Sequence, residues 1–83
     1  MSDELAFVFG RELRKRRIKE GVSQMRLAAS AGLHLNALGH LERGERSPSL
    51  QTVLLLAQAL RISAAELVAS VEKANPKIEK PLK

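Results

Sequence analysis

The sequence has no cysteine, tryptophan or tyrosine, and Phe7 and Phe9 are its only aromatic residues. Without cysteine there can be no disulfides and no thiolate metal sites, and redox compartment cannot be read from thiol usage. So few rings argue against modules that read single strands by stacking bases on aromatic side chains. Long hydrophobic runs are missing as well. The longest, Leu5 to Phe9 and Val53 to Ala57, fall far short of the ~20 residues that span a bilayer. Met1-Ser-Asp-Glu4 is acidic where a secretory signal is positive, so cytoplasm or nucleoid is the expected location, with no membrane partner.

Aliphatic residues and positive charge are what the chain has. Its 83 residues are 45% apolar, enough for the core of one small domain and too few for a second domain carrying a ligand. Fourteen basic residues stand against nine acidic ones, a formal charge of +5. Residues 11–46 alone hold nine basic and four acidic side chains, a net +5, whereas residues 47–83 add only +2. Such a domain points to a polyanion held by its phosphates. For Arg11 to Lys19 the plain alternative is an ordinary solvated face.

Glycines punctuate the chain. Gly21, Gly32 and Gly44 each follow an apolar-periodic stretch, where a left-handed helix end favours a residue without Cβ. Between the breaks the spacing predicts helices at about 3–20, 24–31, 35–43, 50–61 and 64–74. Ser2 or Asp3, Ser23, Ser49 and Ser63 stand at helix starts as N-caps, and Ser63-Ala-Ala-Glu66 is a full capping box. No stretch alternates as a strand does, so the fold is all-α. The expected core is Leu5, Phe9, Leu13 and Ile18, then Leu27, Ala28 and Ala31, then Ala37, Leu38 and Leu41. Val53, Leu56, Ala57, Leu60, Leu67 and Val71 complete it. Residues 1–74 form the expected domain. Residues 75–83, with two prolines and no apolar period, form a flexible basic tail.

Residues 23–43 read as a helix-turn-helix: Ser23-Gln24 opens the first helix, Gly32 breaks it, and the second ends in Leu41-Glu42-Arg43-Gly44. Ala28 is small because the second helix crosses it closely, and Leu38 and Leu41 pin that helix from behind. At about 100° per residue its outward stripe is Leu35, Asn36, Gly39, His40 and Arg43. Such an edge is free to enter a major groove.

These motifs, together with Gly10-Arg-Glu-Leu-Arg-Lys-Arg-Arg17, Pro48-Ser49-Leu50, Ala59-Leu60 and Glu66-Leu67, resemble the Cro/repressor-type (XRE-like) helix-turn-helix family. Phage repressors and restriction–modification controller proteins belong to it. The resemblance covers about residues 9–68 and implies a five-helix, lambda-repressor-like domain that binds double-stranded operator DNA as a homodimer. It places base reading on Leu35, Asn36 and His40. Asn36 can pair bidentately with adenine, and His40 can donate to guanine or a phosphate. Leu35 either meets a thymine methyl or is an incidental exposed leucine. Gln24 stands where the family contacts phosphate and steadies the reading side chains. Ser23, Arg43, Arg46 and Ser47 are further phosphate candidates. Arg17 and Glu42 match a family salt bridge, the alternative being two separate surface charges.

Gly39 departs from the pattern, since glycine inside a helix costs about 1 kcal/mol relative to alanine. Either it permits close backbone approach to DNA, or this face relies on DNA shape. Leu54, Leu55, Ala64, Ala65, Val68 and Val71 form a candidate dimer interface, with ordinary packing as the alternative. The function expected is a sequence-specific transcriptional regulator, a repressor for instance, on a pseudo-palindromic operator. RNA polymerase or another protein is the further partner this reading admits. The competing reading is a protein-interaction module of antitoxin or adaptor type. No nucleophile–base pair, phosphate-binding glycine loop or metal cluster points to an enzyme or a cofactor. His34 and His40, six residues apart, face different ways on a helix and have no third ligand.

Overall fold

The computed structural model describes residues 3–74, with side chains from Glu4 onward. Five helices follow one another: α1 (Asp3–Lys19), α2 (Gln24–Ala31), α3 (Leu35–Glu42), α4 (Leu50–Ala59) and α5 (Ala64–Ala74). The described residues contain no strand. The basic tail expected at 75–83 and the caps at Ser2 and the Asp3 side chain lie outside the described part.

Each helix contributes one leucine with essentially no exposed surface: Leu13, Leu27, Leu38, Leu56 and Leu67. At about 1.5–3 kcal/mol per fully buried leucine, these five side chains supply on the order of 10 kcal/mol of hydrophobic stabilisation before chain entropy is counted. Around them pack Val8, Phe9, Ala28, Ala31, Leu41, Val53, Ala57, Leu60 and Val71, with Leu5 and Leu55 half-buried at the margin. Ile18, expected in the core, is exposed. It lies about 140° around the helix from Leu13, and Arg17 takes the inward position instead.

Four helices end in one hydrogen-bonding pattern. The amide two residues past the last helical carbonyls reaches back, as Val22 to Arg17, Leu33 to Ala28, Glu45 to His40 and Ile62 to Ala57. The first three place glycine in the left-handed region, with φ of 72–75°. The fourth places Arg61 there, φ 61°, so no glycine announces that α4 stops at Ala59 rather than at residue 61. At the starts, the Oγ atoms of Ser23, Ser49 and Ser63 accept from the amides of Arg26, Thr52 and Glu66 at 3.0–3.1 Å. The second half of the capping box is not made. The Glu66 carboxylate forms an ion pair with Nη1 of Arg16 at 2.7 Å and so clasps α5 to α1, while Nε of Arg16 donates to Glu20 at 3.0 Å. No single helix among the described residues is long and apolar enough to cross a membrane.

Gly10 sits in the middle of α1 where that helix crosses the end of α3. A Cβ there would lie 2.7 Å from the carbonyl oxygen of Glu42 and nearer still to that of Leu41. Alanine would gain about 1 kcal/mol of helix propensity, but the opposing atoms are backbone and cannot rotate away. We therefore expect Gly10→Ala to lower stability by a net ~1–3 kcal/mol in urea denaturation. A neutral or stabilising change would place α1 farther from α3 than this packing.

Candidate nucleic-acid interface

α3 has only eight residues, too few to hold a helix in water unaided. It is fixed from behind by Leu38 and Leu41, and at its end by a buried charge. Glu42 is among the most enclosed polar groups of the chain, with a side chain 2% exposed. Its Oε2 accepts from Nε of Arg17 at 2.6 Å, and its Oε1 from Nη2 of the same guanidinium at 3.1 Å. Oε1 also accepts from Nε2 of Gln24 at 2.9 Å, and Nη1 of Arg17 donates to the carbonyl of Val22 at 2.9 Å. One carboxylate thus joins α1, the start of α2 and the end of α3. Among the described residues no buried side-chain polar atom lacks a partner.

With Glu42 turned inward, the outer edge of α3 presents Leu35, 44% exposed, and an exposed Asn36. His40, farther along, is half-buried. His34 precedes the helix in extended conformation, and its side chain caps nothing. Gln24 is half-buried. One hydrogen of its amide goes to Glu42 and the other is left over, since an amide nitrogen carries two. Ser23 is exposed, with its Oγ engaged in capping α2.

Gly39 does not lie open on the outer edge of α3. It is buried, and the Arg43 guanidinium lies over it, so that a Cβ at residue 39 would meet Nη1 at 3.0 Å. The absent side chain makes room for the protein's own arginine. Arg43 and His40 converge on a residue that helical spacing does not reveal, Glu45. Its Oε1 lies 2.6 Å from Nδ1 of His40, and its Oε2 accepts from Nε of Arg43 at 2.9 Å. The Arg43 hydrogen bonds, followed by that of His40, hold the exposed Glu45 carboxyl well below its usual 4.5, at about 2.

Arg46 and Ser47 are exposed and line a groove of about 140 Å³ between α3 and the start of α4. The groove also brings in Ser49 and Thr52, hydroxyl residues that sequence reasoning did not place with them. Ser49 Oγ donates to Thr52 Oγ1 at 3.0 Å. No metal-holding group of His, Asp and Glu occurs among the described residues. The apolar residues of α4 and α5 divide. Leu54 is 51% and Val68 45% exposed, and Ala65 is exposed too. Val71, however, is buried in the protein's own core, and Leu55 and Ala64 are half-buried against it. Those three take part in the chain's own packing, where the inner stripes of α4 and α5 meet. Leu50, 75% exposed at the head of α4, extends the outer patch in their place.

The helix-turn-helix family model matches residues 13–67. The HTH-type transcriptional regulator YazB of Bacillus subtilis (strain 168) is 39% identical over 62 residues, 75% of this chain and 90% of the relative. Control protein C.SmaI of Serratia marcescens is 36% identical over 61 residues, 74% of this chain and 73% of the relative. The crystal structure of the restriction-modification controller protein C.AhdI from Aeromonas hydrophila matches with a TM-score of 0.73 at 44% identity. That match covers 75% of this chain and 94% of the other.

Two measurements check these ion pairs. Arg17→Ala leaves Glu42 buried with only Gln24 as a charge-stabilising donor, so thermal unfolding is expected to show a loss of about 3–5 kcal/mol. A loss below about 1 kcal/mol contradicts the buried pair. The Glu45 contacts have the opposite character, being exposed. Because the folded-state value is depressed, the pairing is fully present above 4.5 and is lost as pH falls toward 2. Carboxyl NMR titration should give a Glu45 midpoint near 2 that moves back toward 4.5 in Arg43→Ala.

Proposed function

This chain belongs to the Cro/repressor-type helix-turn-helix family of DNA-binding transcriptional regulators, and from that premise we propose that it acts as a homodimer on a pseudo-palindromic operator. The observation that carries this reading is the exposed edge of α3, held rigid by the Arg17–Glu42–Gln24 network. An edge fixed in this way can enter a major groove without reorganising, so little binding energy is lost to ordering. Asn36 reads adenine through N6 and N7, Leu35 meets a thymine methyl, and His40 reads a base farther along the groove.

Phosphate contacts set the register. Ser23 and the first amides of α2 take one phosphate, and the remaining Gln24 hydrogen serves the same strand. Arg46 and Ser47, with Ser49 and Thr52 beside them at the start of α4, take a second. Arg43, already neutralised by Glu45, contributes less than its charge suggests. The dimer forms through Leu50, Leu54, Ala65 and Val68, which leaves two copies of α3 to meet half-sites about 10–10.5 bp apart. Duplex DNA in the nucleoid is the partner. The sign of regulation, repression by occlusion or activation through RNA polymerase, follows from operator position rather than from this domain.

The same exposed apolar residues favour a second reading, an interaction module that holds another protein. Leu54→Glu separates the two, because Leu54 is exposed where Leu55 is not. Sedimentation should show a dimer becoming a monomer, with specific DNA binding weakened in parallel. A protein already monomeric, with unchanged binding, contradicts the dimer.

Selection from randomised duplexes is expected to return an inverted repeat. If the dimer neutralises about 6–8 phosphates, log K against log[salt] falls with slope about −5 to −7. Asn36→Ala should lose about 1–3 kcal/mol of discrimination at one base pair per half-site and leave that slope unchanged. A slope that changes with no loss of discrimination would make Asn36 a phosphate contact instead.

A further inference from the structure

Glu45 stands just past α3, where a surface that meets phosphates has least use for negative charge. Yet it holds two basic groups of that surface, His40 and Arg43. The backbone brings it there by geometry rather than by helical spacing. Gly44 turns the chain back at φ 75°, and the Glu45 amide donates to the carbonyl of His40 at 2.9 Å, which places residue 45 beside residue 40.

The hydrogen-bond chemistry of this cluster is constrained. An ionised carboxylate only accepts, so the Oε1 contact at 2.6 Å requires the hydrogen on Nδ1 of His40. The competing neighbour is Nη2 of Arg43, 3.5 Å from the same nitrogen. A guanidinium only donates and would require a bare Nδ1. Distance decides between them: 2.6 Å is a strong hydrogen bond, and 3.5 Å is at the limit of one. Arg43 is occupied in any case, since Nε and Nη2 donate to Glu45 at 2.9 and 3.2 Å. The guanidinium folds back over Gly39, where a Cβ would meet Nη1 at 3.0 Å. These are the charged groups that face the ring: Glu45 and Arg43.

We propose that Glu45 is a specificity-determining residue that acts through His40: it fixes a ring hydrogen on Nδ1, so that the neutral ring presents Nε2 to the groove as an acceptor. This rests on α3 being the base-reading element. A neutral ring held in this tautomer accepts from the N4 amino group of cytosine or the N6 amino group of adenine. That neutral tautomer cannot donate to guanine, which the opposite tautomer and the imidazolium would do. Glu45 is therefore a positioning residue with a chemical consequence, comparable to the partners that orient a metal-bound histidine through its second nitrogen.

The test has two arms. Long-range proton–nitrogen NMR spectra of the full chain at pH 8.5 report the tautomer directly. The Nδ1–H form is expected for His40 in the unaltered protein, and the Nε2–H form should dominate in Glu45→Ala. An Nε2–H ring in the unaltered protein overturns the proposal. In the second arm, randomised duplexes are selected with the unaltered chain, Glu45→Ala, His40→Ala and the double variant. Loss of a carboxylate raises affinity for every duplex alike. Beyond that uniform gain, Glu45→Ala should change preference at one base pair per half-site by roughly tenfold. No further change is expected when His40 is already alanine. A uniform gain with unaltered base preference would make Glu45 a local charge only and overturn the proposal. If the unaltered protein selects no sequence, the operator reading fails and the groove role fails with it. The spectrum still decides whether Glu45 sets the tautomer.

Discussion

The buried pairing of Arg17 with Glu42 is the constraint on which the rest of the molecule depends. Moving two charges out of water costs several kcal/mol, and their attraction compensates only where every donor and acceptor is matched. Here they are matched: the guanidinium grips both carboxylate oxygens, its third nitrogen takes the Val22 carbonyl, and Gln24 fills the side left open. The partners come from α1, the turn before α2, the first residue of α2 and the last of α3. An apolar replacement could pack as well, but it would not fix the roll of α3 about its own axis. For a helix that is to be read edge-on by base pairs, as proposed for α3, that roll is what must be fixed.

From that anchor the surface chemistry follows. Turning Glu42 inward removes a negative charge from the DNA side and leaves Leu35 and Asn36 on the outer edge. Glu45 stays outside and does the reverse, neutralising Arg43 and orienting His40. The net positive field of the first half of the chain is therefore not spread evenly over the recognition surface. Much of it stands on exposed residues of α1, such as Arg11, Arg14, Lys15 and Lys19, where it attracts a polyanion at long range without touching bases. In the proposed complex, contact chemistry rests on fewer groups: an amide, a ring nitrogen, a methyl-sized apolar contact and several hydroxyls.

Much of the fold was legible in the sequence because local signals agreed with one another. Ser23, Ser49 and Ser63 mark helix starts, Gly21, Gly32 and Gly44 mark ends, and Leu13, Leu27, Leu38, Leu56 and Leu67 lie on apolar stripes at helical period. The end of α4 was missed because Arg61 takes a conformation that residue type does not advertise. Ile18 is apolar and near the right register for the core, yet a charged residue, Arg17, occupies the inward position. At the site, the Gln24, Arg17 and Glu42 positions rest on resemblance, since no periodicity joins residues 17 and 42. The contacts of Gly39 and Glu45 are not legible in the sequence for a related reason. Their meaning lies in how Arg43 folds back and how the turn at Gly44 returns the chain, and neither is encoded by helical spacing. Val71 looked available for a partner because the crossing of α4 and α5 that buries it is a tertiary fact.

Whether the outer edge of α3 meets the bases can be read from amide NMR spectra recorded while a selected duplex is added. The largest shifts are expected on Leu35 to Arg43, with a second group at Ser23–Gln24 and from Arg46 to Thr52, while the outer face of α1 stays nearly unmoved. Shifts concentrated on Arg11, Arg14, Lys15 and Lys19, with α3 unchanged, would contradict it.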